Sequence, residues 1–225
     1  MYIQLTERCN MNCAHCGMNA TAEGADMSDA VFEATLELAE HIDPLLTVGG
    51  GEPTLHPNFL SYLMEIIEKD NIELIYVITN GTNKKLSLLL YALGTDECLR
   101  IGSELSLDDY HDTSMVDPRV KDLFSKAGRV RNVSKHNNIS RAGRAADWGY
   151  DDRCICEDLF IKPNGDVHLC GCSDSPKIAN VLVDDAEDID IKVEKLKGLS
   201  EYDELSCIKD TDREEVDKIV KECKV

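Results

Sequence analysis

The 225 residues and 25.1 kDa of this chain accommodate one ordinary domain, or one domain with a small appendage. With 43% hydrophobic and 30% charged residues it can bury a sizeable core, which excludes wholesale disorder. Its net charge of -19 repels phosphate backbones and argues against nucleic acid as a partner, and no apolar run approaches the ~20 residues that span a bilayer, which excludes a membrane protein.

The N-terminal residues Met1 to Arg8 lack a basic segment followed by an apolar stretch, so no signal peptide is read and the protein is expected in the cytoplasm. Tyr2 to Thr6 reads as a short strand leading into a cysteine-containing loop. Ser28 can cap a helix whose apolar positions Val31, Phe32, Leu36, Ala39 and Ile42 recur at helical spacing. Leu45 to Val48 forms a second strand, closed by Gly49-Gly50-Gly51. A second amphipathic helix carries Phe59, Leu60, Leu63, Met64, Ile66 and Ile67. The apolar run Leu74 to Ile78 predicts a strand buried on both faces, ended by the turn residues Thr79-Asn80-Gly81. Lys84 to Leu93 predicts a third helix, Leu99 to Leu107 a fourth strand, Pro118 to Ala127 a fourth helix and Val130 to Ser134 a fifth strand.

Such alternation implies parallel strands with right-handed crossovers, and ligand sites in such sheets collect at the C-terminal ends of the strands. The first cysteine loop, the glycine run, Thr79-Asn80 and Asp108-Asp109 each follow a predicted strand, so four unusual segments point into one mouth. After Ala146 the pattern changes. Leu159 to Leu169 reads as a hairpin turning at Asn164-Gly165. From Asp184 onward the chain is acidic, with Val193, Leu196, Leu199, Val216, Ile219 and Val220 suggesting short helices. The run Asp184 to Asp188 reads as solvated surface.

Ten cysteines in a chain read as unsecreted are the anomaly. A disulfide framework belongs to small secreted domains, whereas clustered thiols in a reducing compartment point to metal. Cys9, Cys13 and Cys16 have the spacing C-x3-C-x2-C. Three thiolates on one loop can hold three corners of a four-iron cubane and leave the fourth iron open to a ligand. A zinc site or three unrelated buried thiols would share that spacing.

These residues resemble the signature of the radical S-adenosylmethionine (radical SAM) enzymes, C-x3-C-x-Φ-C, with His15 in the position usually held by an aromatic residue. Gly49-Gly50-Gly51-Glu52-Pro53 is similar to the family's GGE motif, Thr79-Asn80-Gly81 to its T-N-G after the third strand, and Ser106-Leu107-Asp108 to its S-x-D segment. Ile139 to Ala145 resembles a G-R-A segment and contains Arg141 and Arg144. The resemblance implies a [4Fe-4S] cluster whose open iron chelates the methionine moiety of S-adenosylmethionine. It also implies reductive cleavage of that cofactor to a 5′-deoxyadenosyl radical, hydrogen abstraction from a substrate, and an external electron donor of the flavodoxin or ferredoxin type. His15, Gly50, Gly51, Glu52, Thr79, Asn80, Ser106, Asp108, Arg141 and Arg144 are then the cofactor-contacting candidates, with Glu52 accepting a hydrogen bond from the cofactor's ammonium. A Ser or Asn at a strand end is equally a cap or turn residue, and the arginines equally surface residues.

The implied fold is α/β: a partial, TIM-like barrel of five to six strand–helix units over residues 1–146, a small cysteine-rich hairpin module at 147–183, and a helical acidic extension at 184–225. The sixth unit, near Ile139, is abbreviated or absent. In the hairpin module Cys154, Cys156, Cys170 and Cys172 flank a Pro-Asn-Gly-Asp-Val turn similar to the auxiliary-cluster regions called SPASM and twitch domains. They are expected to bind one auxiliary iron–sulfur cluster beside the active-site mouth, with zinc as the alternative. By analogy with peptide-maturing enzymes the expected substrate is a peptide or protein side chain. A small metabolite or nucleobase precursor is the second enzymatic reading. An iron–sulfur electron carrier or metal-stabilised binding module is the competing class, but a carrier has no use for a three-cysteine cluster beside a Gly-Gly-Glu loop.

Overall fold

A computed structural model describes residues 1–96, 98–133, 139, 142–149, 158–171, 175–197 and 213–222. Five parallel strands, β1 (Tyr2–Thr6), β2 (Leu45–Gly50), β3 (Leu74–Thr79), β4 (Ile101–Ser106) and β5 (Val130–Arg131), are joined by helices α1 (Asp29–Ile42), α2 (Phe59–Glu68), α3 (Lys84–Leu93) and α4 (Pro118–Lys126). Three of these helices, α1, α3 and α4, start where the sequence offers an oxygen to their unpaired N–H groups. Ser28 accepts from Val31 N, Asn83 from Leu86 N and Asp117 from Arg119 N, the last followed by Pro118 in the first turn.

All the described strands lie in a single eight-stranded sheet of order β5-β4-β3-β2-β1-β6-β7-β8. The hairpin read from the sequence is present as β6 (Phe160–Ile161) and β7 (Asp166–His168), turning at Asn164-Gly165, and β8 (Lys177–Asn180) follows. It continues the barrel sheet: β6 pairs parallel with the free edge of β1, Tyr2 opposite Phe160 and Ile3 opposite Ile161, and β7 and β8 run antiparallel beyond it. The Tyr2 and Phe160 rings stack at 5.1 Å. Two helices close the described chain, α5 (Ala186–Lys197) and α6 (Arg213–Glu222).

The main core lies between the outer face of the sheet and the helices, built from Ile3, Leu5, Val48 and Val77 on the strands, Phe32, Leu36, Phe59, Leu63 and Ile66 on the helices, and Ile189, Val193 and Leu196 of α5. Phe32 and Tyr62 stack at 3.8 Å where α1 meets α2. Two expectations are corrected here. The third strand is not buried on both faces: Ile75 and Val77 are buried, but Tyr76 and Ile78 line a cavity, because the partial barrel keeps an open interior. The acidic run at 184–188 is not simply solvated surface. Asp185 caps α5 by accepting from Asp188 N at 2.8 Å, and Asp184 pairs at 2.7 Å with Lys192, which is buried. No described helix is long and apolar enough to cross a membrane.

Candidate active site

The site is assembled from the segments that leave the C-terminal ends of β1 to β4. After β1 the chain enters the cysteine loop, which is shaped by its own backbone: Cys9 N donates to Thr21 O at 2.7 Å and Cys16 N to Cys13 O at 3.2 Å. Arg144, far along the chain, clamps this loop. Its Nε donates to Cys13 O at 2.8 Å, its Nη1 to Ala20 O at 2.9 Å and its backbone N to Cys16 O at 3.0 Å. Gly143 permits the approach. Its φ is +54°, and a Cβ there would stand 2.4 Å from Cys16 O. With backbone and Arg144 satisfying the loop, the side chains of Cys9, Cys13 and Cys16 are left to line the cavity. Burial pushes the Cys9 thiol above its ordinary range.

After β2 the glycine run presses on the start of that loop. Gly51 N donates to Thr6 O at 2.7 Å and Glu52 N to Arg8 O at 2.8 Å, and a Cβ on Gly51 would lie 2.3 Å from Arg8 O. Glu52 itself is fully buried and is not part of the cavity wall. Its Oε1 accepts from Thr54 N (3.2 Å), Thr54 Oγ1 (2.5 Å) and Thr79 Oγ1 (2.8 Å), and its Oε2 from Asn80 N (2.6 Å). Burial pushes this carboxyl up against the pull of those four donors. The turn after β3 is thereby tied to the loop after β2. Asn80 in turn donates from Nδ2 to Asn10 Oδ1 at 3.0 Å and lies 3.7 Å from Cys9 Sγ.

After β4, Ser106 and Asp108 reach the same cavity. Asp108 Oδ1 accepts from Tyr110 N (3.0 Å) and bonds the His111 ring through Nδ1 (2.8 Å), while His15 Nε2 stands 3.6 Å from Oδ2. Burial raises the Asp108 carboxyl, but the His111 bond, the two imidazoles and the Tyr110 N–H outweigh it and hold it below the usual range. Burial likewise opposes charge on His111. Its bonds to Asp108 and to the Cys13 thiol prevail and push it up to about 9. His15, lacking such bonds, is lowered by burial.

These segments enclose a cavity of about 450 Å³. Its upper wall is the three cysteines, His15, Gly50, Gly51, Thr79, Asn80, Ser106 and Asp108. It runs down the inside of the sheet to Tyr2, Tyr76, Arg131, Asp158, Phe160 and Gly171. Of the residues singled out in the sequence, Glu52 and Cys170 thus sit outside the wall and Arg144, which lines it, is committed to the loop, while the others that are described meet at one opening. Arg141, Cys154, Cys156 and Cys172 lie outside the described residues. Cys170 is described and buried. Because β7 runs antiparallel to β6, with His168 opposite Phe160 and Phe160 opposite Tyr2, Cys170 falls at the N-terminal end of β1, away from the mouth beside which the second cysteine group is expected. His111, Tyr2 and Arg131 were not singled out. His111 had a signal, a titratable ring three residues beyond Asp108, whereas Tyr2 and Arg131 reach the cavity only through the pleat of their strands.

The donor set suits a cluster with one free corner. Three sulfurs, which are soft ligands, converge at the top of the cavity, and no fourth cysteine lines it among the described residues. Beside them the buried His15 Nδ1 has no hydrogen-bond partner among the described residues.

A family model described as the radical SAM superfamily matches residues 3–133, more than half of the chain. A tungsten-containing aldehyde ferredoxin oxidoreductase cofactor-modifying protein of Pyrococcus furiosus is 33% identical over 112 residues, covering 48% of this chain; the chain spans 28% of that protein's length. Among solved structures, BtrN in complex with AdoMet and 2-DOIA superposes with a TM-score of 0.60 at 17% identity, covering 89% of each chain. Streptococcus suis SuiB bound to precursor peptide SuiA superposes with a TM-score of 0.54 at 15% identity, covering 84% of this chain and 63% of that one. At such identities these likenesses establish the shared fold, the open α/β barrel described above.

Proposed function

Because the chain belongs to the radical SAM superfamily, enzymes whose cofactors are a [4Fe-4S] cluster and S-adenosylmethionine, we propose that Cys9, Cys13 and Cys16 ligate three irons of that cluster and leave the fourth for the cofactor's methionine group. The observation that carries this is the convergence of the three thiols on one cavity that Gly50, Gly51, Asn80, Ser106 and Asp108 share. When bound, the two groups together supply one-electron reductive cleavage of a sulfonium and abstraction of a hydrogen atom from the substrate. The chain's own part is positioning and exclusion of water. Gly50 and Gly51 let the backbone approach a ligand closely. Asn80 and Ser106 offer side-chain donors and acceptors along its flank. Glu52 holds the Thr79–Asn80 turn in place, and its Oε2, which takes a single protein donor, keeps acceptor capacity for an ammonium group.

The substrate we propose is a peptide or protein side chain. The lower cavity offers an inserted side chain the stacked Tyr2 and Phe160 rings and the opposite charges of Arg131 and Asp158. The barrel shared with SuiB, which binds its precursor peptide, supports this reading. The barrel shared with BtrN, whose complex holds AdoMet and 2-DOIA, favours instead a small metabolite, and that is the second reading. Electrons would come from a carrier of the flavodoxin or ferredoxin type. Cys154, Cys156, Cys170 and Cys172 would hold an auxiliary cluster.

Anaerobically reconstituted, reduced protein should convert S-adenosylmethionine to 5′-deoxyadenosine, and replacing Cys9, Cys13 and Cys16 together by Ala should abolish this. Undiminished cleavage in the triple variant would sink the ligand assignment. Candidate peptides and metabolites are then ranked by how far they quicken cleavage in deuterated medium and which takes up the label.

A further inference from the structure

We infer that His111 is a positioning residue for the cysteine loop: held by Asp108, it presents its second ring nitrogen to the Cys13 sulfur and so tunes the corner of the cluster that this sulfur ligates. The inference rests on the reading of Cys13 as a cluster ligand.

The geometry restrains the ring from several sides. Asp108 is buried, fixed by the Tyr110 N–H at 3.0 Å, and takes His111 Nδ1 at 2.8 Å. His15 packs edge-on against His111 at 5.0 Å between centroids, with an interplanar angle of 69°, and its other neighbour Tyr110 is also at 5.0 Å. Tyr110 leans on Trp148 at 5.5 Å, and the Trp148 indole donates to the carbonyl of Arg144, the residue that clamps Cys13 O. The ligating atoms of His111, His15 and Cys13 all lie within 4.8 Å of one another, and because Asp108 occupies Nδ1 of His111, Nε2 is the nitrogen left to meet the sulfur.

Chemistry selects the direction of a bond between the two. A thiolate committed to iron has only acceptor capacity, so the ring nitrogen facing it must donate, and the Asp108 carboxylate takes the N–H on the other side. Hydrogen bonds to cluster sulfurs favour the more negative, reduced state and raise the potential. Asp108 and His111 therefore form a relay from carboxylate through imidazolium to sulfur.

The test is an EPR-monitored redox titration of the anaerobically reconstituted protein, with iron counted on the same samples. His111→Leu removes the donor. A charged hydrogen bond of roughly 1.5 kcal/mol or more predicts that reduction becomes about tenfold less favourable, a shift of about 59 mV to lower potential for a one-electron couple, at unchanged iron content. His111→Gln, whose amide can still donate, should recover part of that shift. Asp108→Asn keeps the ring but weakens its anchor and should move the potential the same way by a smaller factor. Wild-type potential in both His111→Leu and Asp108→Asn, at full iron loading, would overturn the inference. So would one zinc retained per chain by the wild type and lost in His111→Leu, since the trio would then be a mononuclear site. Cys13→Ala with full iron and wild-type potential would defeat the ligand reading itself, a result that the His111 variants do not produce.

Discussion

Glu52→Ala separates two roles that one carboxylate combines. The side chain is fully buried and satisfies two backbone N–H groups, those of Thr54 and Asn80, along with the hydroxyls of Thr54 and Thr79. On truncation the hydroxyls can rotate toward other acceptors, but the two N–H groups cannot. At about 1–3 kcal/mol for each buried unsatisfied group, the loss is about 2–6 kcal/mol. For a chain of this length each kcal/mol moves the melting temperature by roughly 2–4 °C, so a central loss of ~4 kcal/mol lowers it by about 8–16 °C. Glu52→Gln should fall between. Its oxygen can serve the three donors at Oε1, while its NH2 would face the Asn80 N–H and cost about 1–3 kcal/mol. The assay is thermal unfolding followed by circular dichroism without added cofactor. A Glu52→Ala protein melting within about 2 °C of wild type would refute the reasoning, since even the lowest cost predicts more. If Glu52 also meets the cofactor's ammonium, calorimetry on reconstituted Glu52→Ala protein should show roughly ten- to a hundredfold weaker cofactor binding, at unchanged iron content.

Three further outcomes are expected. Gly143→Ala places a Cβ 2.4 Å from Cys16 O at a φ of +54°, so it should dislodge the Arg144 clamp and leave the chain with less than its full complement of iron; full iron in this variant would remove the clamp from the account. Burial raises Asp166, but its bonds to Lys177, Asn180 and Asn164 prevail and hold it below its ordinary range. A depressed folded pKa contributes stability that is present above the unfolded value of about 4 and is lost as the pH falls through the folded one. Acid unfolding monitored by fluorescence should therefore be less steep in Asp166→Asn, and identical profiles would refute the linkage. For the auxiliary site, two cubanes predict about eight irons per chain and no stoichiometric zinc. About four irons with one zinc would refute the second cluster, and full iron after replacing Cys154, Cys156, Cys170 and Cys172 would refute those ligands.

The barrel half of the molecule was legible because its signals are local. Lys84 to Leu93 forms the helix its pattern predicts, Tyr2 to Thr6 the strand, and each of the four flagged segments follows a strand end. What escaped depends on pairings between distant residues. Nothing local in Phe160-Ile161 says that they extend the sheet beside β1, so the hairpin read as an appendage. The sidedness of β3 escaped for a related reason. A continuous apolar run cannot tell a packed face from a cavity wall, and only barrel curvature places Tyr76 and Ile78 inside. Arg144 and Glu52 were found by pattern, yet the structure shows them largely occupied with the chain itself, Arg144 with loop carbonyls and Glu52 with neighbouring donors.

The pairing of β1 with β6 also has a consequence during synthesis. One edge of β1 finds its partner when β2 arrives, but the other waits for Phe160. At about 5–20 residues added per second, that edge stands open for roughly 8–30 s on the ribosome. Through this interval the nascent barrel carries an unpaired strand leading straight into Cys9, Cys13 and Cys16, which makes chains interrupted before residue 160 the ones expected to stick to one another.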